Sequence, residues 1–277
     1  MLKHQVKSAF KAFWKKLRFD LSANDNPIFI GFYKNFYKPK PGSLSEFLSE
    51  YSLSKKGDFY VIQIGANDGI THDPIHKFIK RDRWKGVLLE PQPDVFNNEL
   101  KRIYQFNEGL TPICAAIGKV DGSQKLYKIG FSDMRWATGL ASFSLEQIQE
   151  HYDSGVVAMN CKKYGLEIPS DPAQQIVAVD VEVISPETLI KKYGISRIDL
   201  LQIDAEGYDL EVILIFEIEK TQPQVINFEN ENLPQEDLER CYQLLKANGY
   251  QLQKFGRDTL AMKNPSEQFQ RFFENGI

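Results

Sequence analysis

The chain has 277 residues, 42% of them hydrophobic and 12% aromatic. That is enough to bury a core without a metal or disulfide staple, in one large domain or two small ones. Charged residues make up 26%, and Lys+Arg 34 against Asp+Glu 37 leaves a net charge of −3. This excludes collagen-like and disordered classes and speaks against a nucleic-acid binder, which would be basic overall.

Residues 2–18 are predicted to form a short helix, because Val6, Phe10, Phe13, Trp14 and Leu17 recur at three- and four-residue spacing with lysines between them. Lys3, Lys7, Lys11, Lys15, Lys16 and Arg18, with no acid among them, give this segment +6 and leave −9 for residues 19–277. Two readings stay open: a helix on an anionic membrane surface, or a basic helix packed on the domain or on a twin subunit. Residues 21–45 read as a linker. It contains the turn formers Asn24-Asp25-Asn26-Pro27, an aromatic patch (Phe29, Phe32, Tyr33, Phe36, Tyr37) and Pro39-Lys40-Pro41-Gly42. The prolines rule out a long helix, and the patch fits docking on the main domain or a homodimer contact. Residues 1–50 thus precede a main domain at 51–277.

From residue 58 strands and helices alternate. Predicted strands cover 59–64, 86–89 and 111–117, with helices at 73–80 and 94–104 between them. The rhythm then breaks into an insert at about 119–175, read as a short strand at 124–129 and a long irregular stretch, the usual form of a lid or substrate wall. Alternation resumes with strands at 176–184, 198–203 and 224–228. Helices follow at Ser185-Pro186-Glu187, at 210–216 and at 234–247, and a hairpin of 250–255 and 259–263 turns at Gly256-Arg257-Asp258. Such alternation gives a doubly wound, mainly parallel sheet with an antiparallel final hairpin.

Open parallel sheets bind ligands beyond the carboxyl ends of their strands. After the first strand stands Gly65-Ala66-Asn67-Asp68-Gly69. Its glycines permit close approach of a ligand, and the pattern is not GxGxxG, so no dinucleotide pyrophosphate clamp is indicated. Glu90 closes the second strand, 25 residues after Gly65, where a carboxylate accepts from vicinal ribose hydroxyls. Both NAD and S-adenosylmethionine carry that diol; the glycine spacing favours the methyl donor. The bland alternatives are a plain turn and a solvated strand end. A second acidic group follows the strand at 198–203, where Asp204-Ala205-Glu206-Gly207-Tyr208-Asp209 is succeeded, one strand on, by Asn227-Phe228-Glu229-Asn230-Glu231. Acids there must be hydrated, paired or working.

These segments, with Ile62-Gln63-Ile64, Leu89-Glu90-Pro91 and Ala115-Ala116-Ile117-Gly118, resemble the FkbM family of S-adenosylmethionine-dependent methyltransferases over about residues 58–262. The most specific piece is Ile203-Asp204-Ala205-Glu206-Gly207; the departure is Asp68, where many members carry an apolar residue. The resemblance implies a Rossmann-like class I methyltransferase fold with a seven-stranded sheet covered by helices on both faces. It implies methyl transfer to a hydroxyl of a sugar, glycan, lipid or small metabolite, with S-adenosylhomocysteine as product. Gly65, Ala66, Asn67 and Gly69 are expected around the methionine part of the donor, with Asp68 either touching it or bracing the turn. Glu90, followed by Pro91, is expected at the ribose, Ala116 and Ile117 beside adenine, and Asp204 near the methyl group or the acceptor.

A hydroxyl acceptor needs its proton removed. Asp204, Glu206, Asp209, Glu229 and His151 are the candidate bases, with capping of the following helix as the bland role of Glu206 and Asp209. Asp204, Glu206, Glu229 and Glu231 also form an oxygen set suited to Mg²⁺ or Ca²⁺, an option the sequence does not favour. His72 and His76 make no zinc motif. Trp136, Phe143, Tyr152 and Tyr164 in the insert are either sugar-stacking groups or its own small core. Arg135, Lys162 and Lys163 either meet an anionic group of the acceptor or are solvated. Two competing readings are an NAD(P)-dependent oxidoreductase and a non-catalytic binding module. Cys114, Cys161 and Cys241 form no framework, no apolar run is long enough to span a membrane, and the N-terminus lacks a secretory pattern. The expected location is therefore cytoplasmic, with membrane contact through residues 1–18 as the one addition.

Overall fold

The computed structural model describes residues 2–277, with side chains from Phe13 onward and that of Phe10. The side chains of Val6, Lys3, Lys7 and Lys11 lie outside this set. Strands β1 (Tyr60–Ile64), β2 (Lys85–Leu89), β3 (Leu110–Ile113), β7 (Leu200–Ile203), β8 (Val225–Glu229), β9 (Tyr250–Phe255) and β10 (Asp258–Lys263) form a seven-stranded sheet in the order β3-β2-β1-β7-β8-β10-β9. The first five are mutually parallel, and β10 runs antiparallel to both of its neighbours. This is the fold that the resemblance implies, and the final antiparallel hairpin read from the strand pattern is present.

The sheet is buried on both faces, as parallel sheets must be. Alternate residues enter different cores. Ile62, Val87, Leu201 and Ile226 pack with the helices Pro186–Lys192, Asp209–Ile215 and Gln235–Ala247. Val61, Leu88, Leu200 and Val225 pack on the other side with helix α3 (Leu44–Ser54), the helix His76–Asp82 and the C-terminal Phe269, Phe272 and Phe273. α3 starts at Ser43, whose hydroxyl accepts from Glu46 N. The helix runs through position 50 and buries Phe47, Leu48 and Tyr51 in the sheet's core.

The N-terminal helix α1 is longer than expected, Leu2–Ala23, and the expected linker holds a nine-residue helix α2 (Pro27–Asn35). Pro27 does not break α2; it occupies the first turn, where its missing N–H costs nothing, behind an Asn26 cap. Two strand expectations are corrected. The strand predicted at 111–117 is two: β3 stays in the main sheet and β4 (Ala116–Ile117) leaves it. The strand predicted at 176–184 exists as β6 (Ile176–Ile184) but lies outside the main sheet. It is the centre of a second sheet, β4-β6-β5, with β5 (Gly122–Ile129) antiparallel to it. The insert is also more ordered than expected. Helices Arg135–Thr138, Leu145–Asp153, Val156–Tyr164 and Pro172–Gln175 close over a core of Ile129, Ala137, Ile148, Val157 and Cys161.

Candidate functional site

Register builds the site. Ile64 pairs with Leu89 of β2 and with Ile203 of β7, and Ile203 pairs with Phe228 of β8. The carboxyl ends of four parallel strands are therefore level, and the next residues, Gly65, Glu90, Asp204 and Glu229, meet at one rim. Backbone bonds lock it: Gly65 N and Ala66 N both donate to Leu89 O (3.1 and 2.9 Å), and Asp204 N donates to Ile64 O (3.0 Å). Gly65 has φ +75°, and a Cβ there would run into the Asp204 carbonyl, so only glycine lets these strand ends approach.

A pocket opens on this rim. Gly65, Asn67, Glu90, Pro91, Ala116, Ile117, Asp204 and Glu206 line it, so the structure gathers most of the predicted site residues in one place. Ala66, Asp68, Gly69 and His151 do not line it. Ala66 is buried beneath the turn. Asp68 Oδ1 accepts from Ile70 N (3.0 Å) and Thr71 N (2.7 Å), which braces the loop from within. Gly69 fits where a Cβ would press on Leu100 and Tyr104. His151 sits on the helix Leu145–Asp153, and burial lowers its pKa.

Glu90 is 2% exposed. Its Oε2 accepts from Asn67 N at 2.9 Å, and its Oε1 accepts from Gln92 N at 2.9 Å and Gln92 Nε2 at 3.2 Å. Burial nevertheless pushes its pKa up to about 7. An ionised carboxylate offers about four lone-pair sites, so three donors leave capacity for a ligand hydroxyl. Gln92 also donates through Nε2 to Thr138 O (3.0 Å), tying the insert to the rim. Its Oε1 is buried in the pocket wall with no hydrogen-bond partner among the described residues. A stranded acceptor of this kind is costly unless a ligand donor reaches it.

The second acidic group is held differently. Asp204 is raised in pKa by burial, opposed by the charges of Arg135, Arg257 and His72, and no protein donor engages its carboxylate among the described residues. Glu206 adopts φ +49°, with Gln147 Nε2 on its carbonyl (2.6 Å) and Asn232 Nδ2 on its Oε2 (3.1 Å). Burial and the neighbouring Asp204 and Glu229 push its pKa up to about 8. Asp209 is fully buried and accepts from Glu229 N at 3.2 Å, bracing β8 rather than facing the pocket. Glu229 is 3.2 Å from Arg257 Nε, and Glu231 also faces Arg257. Among the described residues no three His, Cys, Asp or Glu side chains gather as a metal-holding group. The oxygen set of Asp204, Glu206, Glu229 and Glu231 does not assemble as one.

The insert covers the pocket with Arg135, Thr138, Ser142 and Phe143. Phe143 and Tyr208 lie with ring centroids 6.1 Å apart, both on the pocket wall. Trp136 and Tyr152 instead pack in the insert's own core, and Tyr164 is exposed. Arg135 faces the acids, and its charge opposes the raised pKa values of Glu90, Asp204 and Glu206; Lys162 and Lys163 are exposed. Gln92, Thr138 and Ser142 are polar lining residues that the sequence analysis does not single out. Only Gln92 carries a signal, as a polar residue held between two prolines just past a strand end.

The chain matches the family described as "Methyltransferase FkbM domain" over residues 63–252. No curated protein matches it. Among solved structures it is similar to a methyltransferase FkbM from Methylobacillus flagellatus KT, at 12% identity and TM-score 0.43. That match covers 79% of this chain and 50% of the other, so this chain spans about half the length of that protein. It is also similar to a delta-N METTL16 methyltransferase domain (12% identity, 79% of each chain, TM-score 0.39). A third is the Methanococcus jannaschii fibrillarin pre-rRNA processing protein (12% identity, 88% of this chain and 76% of that one, TM-score 0.36).

Proposed function

We propose a function from what is established: the chain belongs to the FkbM methyltransferase family. Within that family we read it as an O-methyltransferase that acts on a hydroxyl of a sugar, glycan or small metabolite. The observation that carries the reading is the Asp204–Glu206 pair, two desolvated carboxyls on the same pocket wall as the turn after β1 and Glu90. A carboxyl whose proton affinity is raised by desolvation suits removal of a hydroxyl proton.

The residues present fit S-adenosylmethionine. Glu90 has acceptor capacity to spare, Gln92 Oε1 lacks a donor among the described residues, and the absence of a Cβ at Gly65 keeps the turn close to β7. In this assignment Gly65 and Asn67 hold the methionine part, Glu90 the ribose, and Ala116 and Ile117 the adenine. The bound donor supplies a methyl group already activated on a sulfonium, so the chain's own work is positioning, exclusion of water and proton removal. Asp204, with no donor on its carboxylate among the described residues, takes the proton. Glu206, held by Asn232, shapes the charge around it. Arg135 offsets the acids from the insert side.

The test is methyl transfer from labelled donor by the full chain, offered hydroxyl-bearing glycans and metabolites beside matched amines. Mass spectrometry of the product is expected to place the label on oxygen. Label found only on nitrogen or carbon overturns the acceptor reading and leaves the family intact.

A further inference from the structure

We propose that α1 and α2 together form a docking surface for an anionic lipid bilayer. Phe10, Phe13 and Trp14 on α1, with Ile28, Phe32 and Phe36 along α2 and its cap, are each more than half exposed. Ile28, Phe32 and Phe36 are four residues apart and share one helix face, while Ile30 and Tyr33 on the other face are buried. Trp14 joins the two helices: it lines a groove with Ile28 and Phe32, and a second groove that runs to Ile70 and Thr71. Arg18 Nη2 donates to Ile70 O at 3.3 Å, so the apolar surface ends beside the loop that follows Gly69.

Charge selects the occupant. Residues 1–42 carry nine Lys and Arg against two acids, Asp20 and Asp25, in a chain that is negative overall. Asp25 is already paired with Lys80 and Arg83. A second copy of this chain would set like charges against one another across the patch, which costs affinity. Anionic headgroups complement the lysines, while tryptophan and phenylalanine suit the boundary between headgroups and acyl chains. No helix among the described residues is long and apolar enough to cross a membrane, so the geometry is that of helices lying on the surface.

The full chain is sedimented with vesicles of phosphatidylcholine alone, and with vesicles of equal parts phosphatidylcholine and phosphatidylglycerol. Binding to the anionic vesicles is expected, at least about tenfold weaker on the neutral ones and in high salt. Phe32→Glu with Phe36→Glu, or Lys15→Glu with Lys16→Glu, should lower it by about tenfold or more. A readout that needs only a near-isosteric change is quenching by brominated lipid. Of the other two tryptophans Trp84 is fully buried and Trp136 packs against the insert's core, away from α1 and α2, so the quenched part of the emission should vanish in Trp14→Phe. Wild-type protein left in the supernatant with anionic vesicles overturns the proposal, as does pelleting unchanged in both charge-altering variants or quenching unchanged in Trp14→Phe. A wild-type dimer in light scattering that Phe32→Glu with Phe36→Glu makes monomeric, with vesicle binding unaltered, assigns the face to a second copy instead.

Discussion

At position 204 the chain places a carboxylate that no donor among the described residues holds; at position 90 it places one that three donors hold. The difference separates two roles. Asp204→Asn keeps the shape and removes the proton acceptor, so kcat should fall by about 10²–10⁴ while donor affinity, read by calorimetry, changes little. Wild-type turnover in that variant would move the base elsewhere. Glu90→Ala removes the carboxylate and also strands Asn67 N and Gln92 N, so the Kd for S-adenosylhomocysteine should rise by about tenfold or more. An unchanged Kd would take Glu90 out of the donor site. Both positions are legible in the sequence because a carboxylate directly after a buried strand is costly unless water, a cation or a ligand meets it. Gln92 and Arg135 are less so. Their place in the pocket is set by a proline-flanked turn and by the fold of the insert, neither of which leaves a period in the sequence.

At the scale of elements, β1, β2, β7 and β8 are readable because each is a short, mainly apolar run that glycine or an acid closes. The parts that the sequence misplaces differ in physical cause. In residues 176–184, Val179, Val181 and Val183 alternate with Asp180 and Glu182, and the strand shows water on one face and apolar contact on the other. That alternation belongs to a sheet exposed on one side, not to a central parallel strand. Reading the segment only as apolar put it in the wrong sheet. The insert's helices span four to nine residues, too short for a 3.6-residue period to declare itself. Where β1 and β7 end, the junction is tight enough to predict an outcome. Gly65→Ala introduces a Cβ against the Asp204 carbonyl at a positive φ, with overpacking and backbone strain together costing about 2–4 kcal/mol. Urea denaturation should show a lower midpoint with an unchanged slope. A wild-type midpoint would mean the strand ends do not meet as described.

For the whole molecule, the topology has a consequence for stability. A parallel sheet with level carboxyl ends delivers Glu90, Asp204, Glu206, Asp209 and Glu229 to one poorly hydrated rim, and desolvation raises the pKa of every one of them. Glu90 and Glu229 reach about 7 and Glu206 about 8. In the unfolded chain all five are ionised by about pH 6.5. The native state therefore binds more protons than the unfolded state above that pH, and stability falls as pH rises. Histidine acts in the other direction: burial lowers the pKa of His76 and His151, so their contribution is lost as pH falls through about 6.5. Between about pH 6.5 and 8 the carboxyls outweigh the two histidines, whose opposing effect fades as pH rises, and set the sign of the slope. The ligand-free protein should lose thermal stability steadily across that window. Glu206→Gln, which cannot ionise, should melt about 2–4 °C higher than wild type at pH 8 and show a shallower decline. Melting curves in a single buffer series at fixed ionic strength measure both. A wild-type Tm that is flat or rising across that window would show that the rim is hydrated and that its acids titrate as ordinary surface carboxylates.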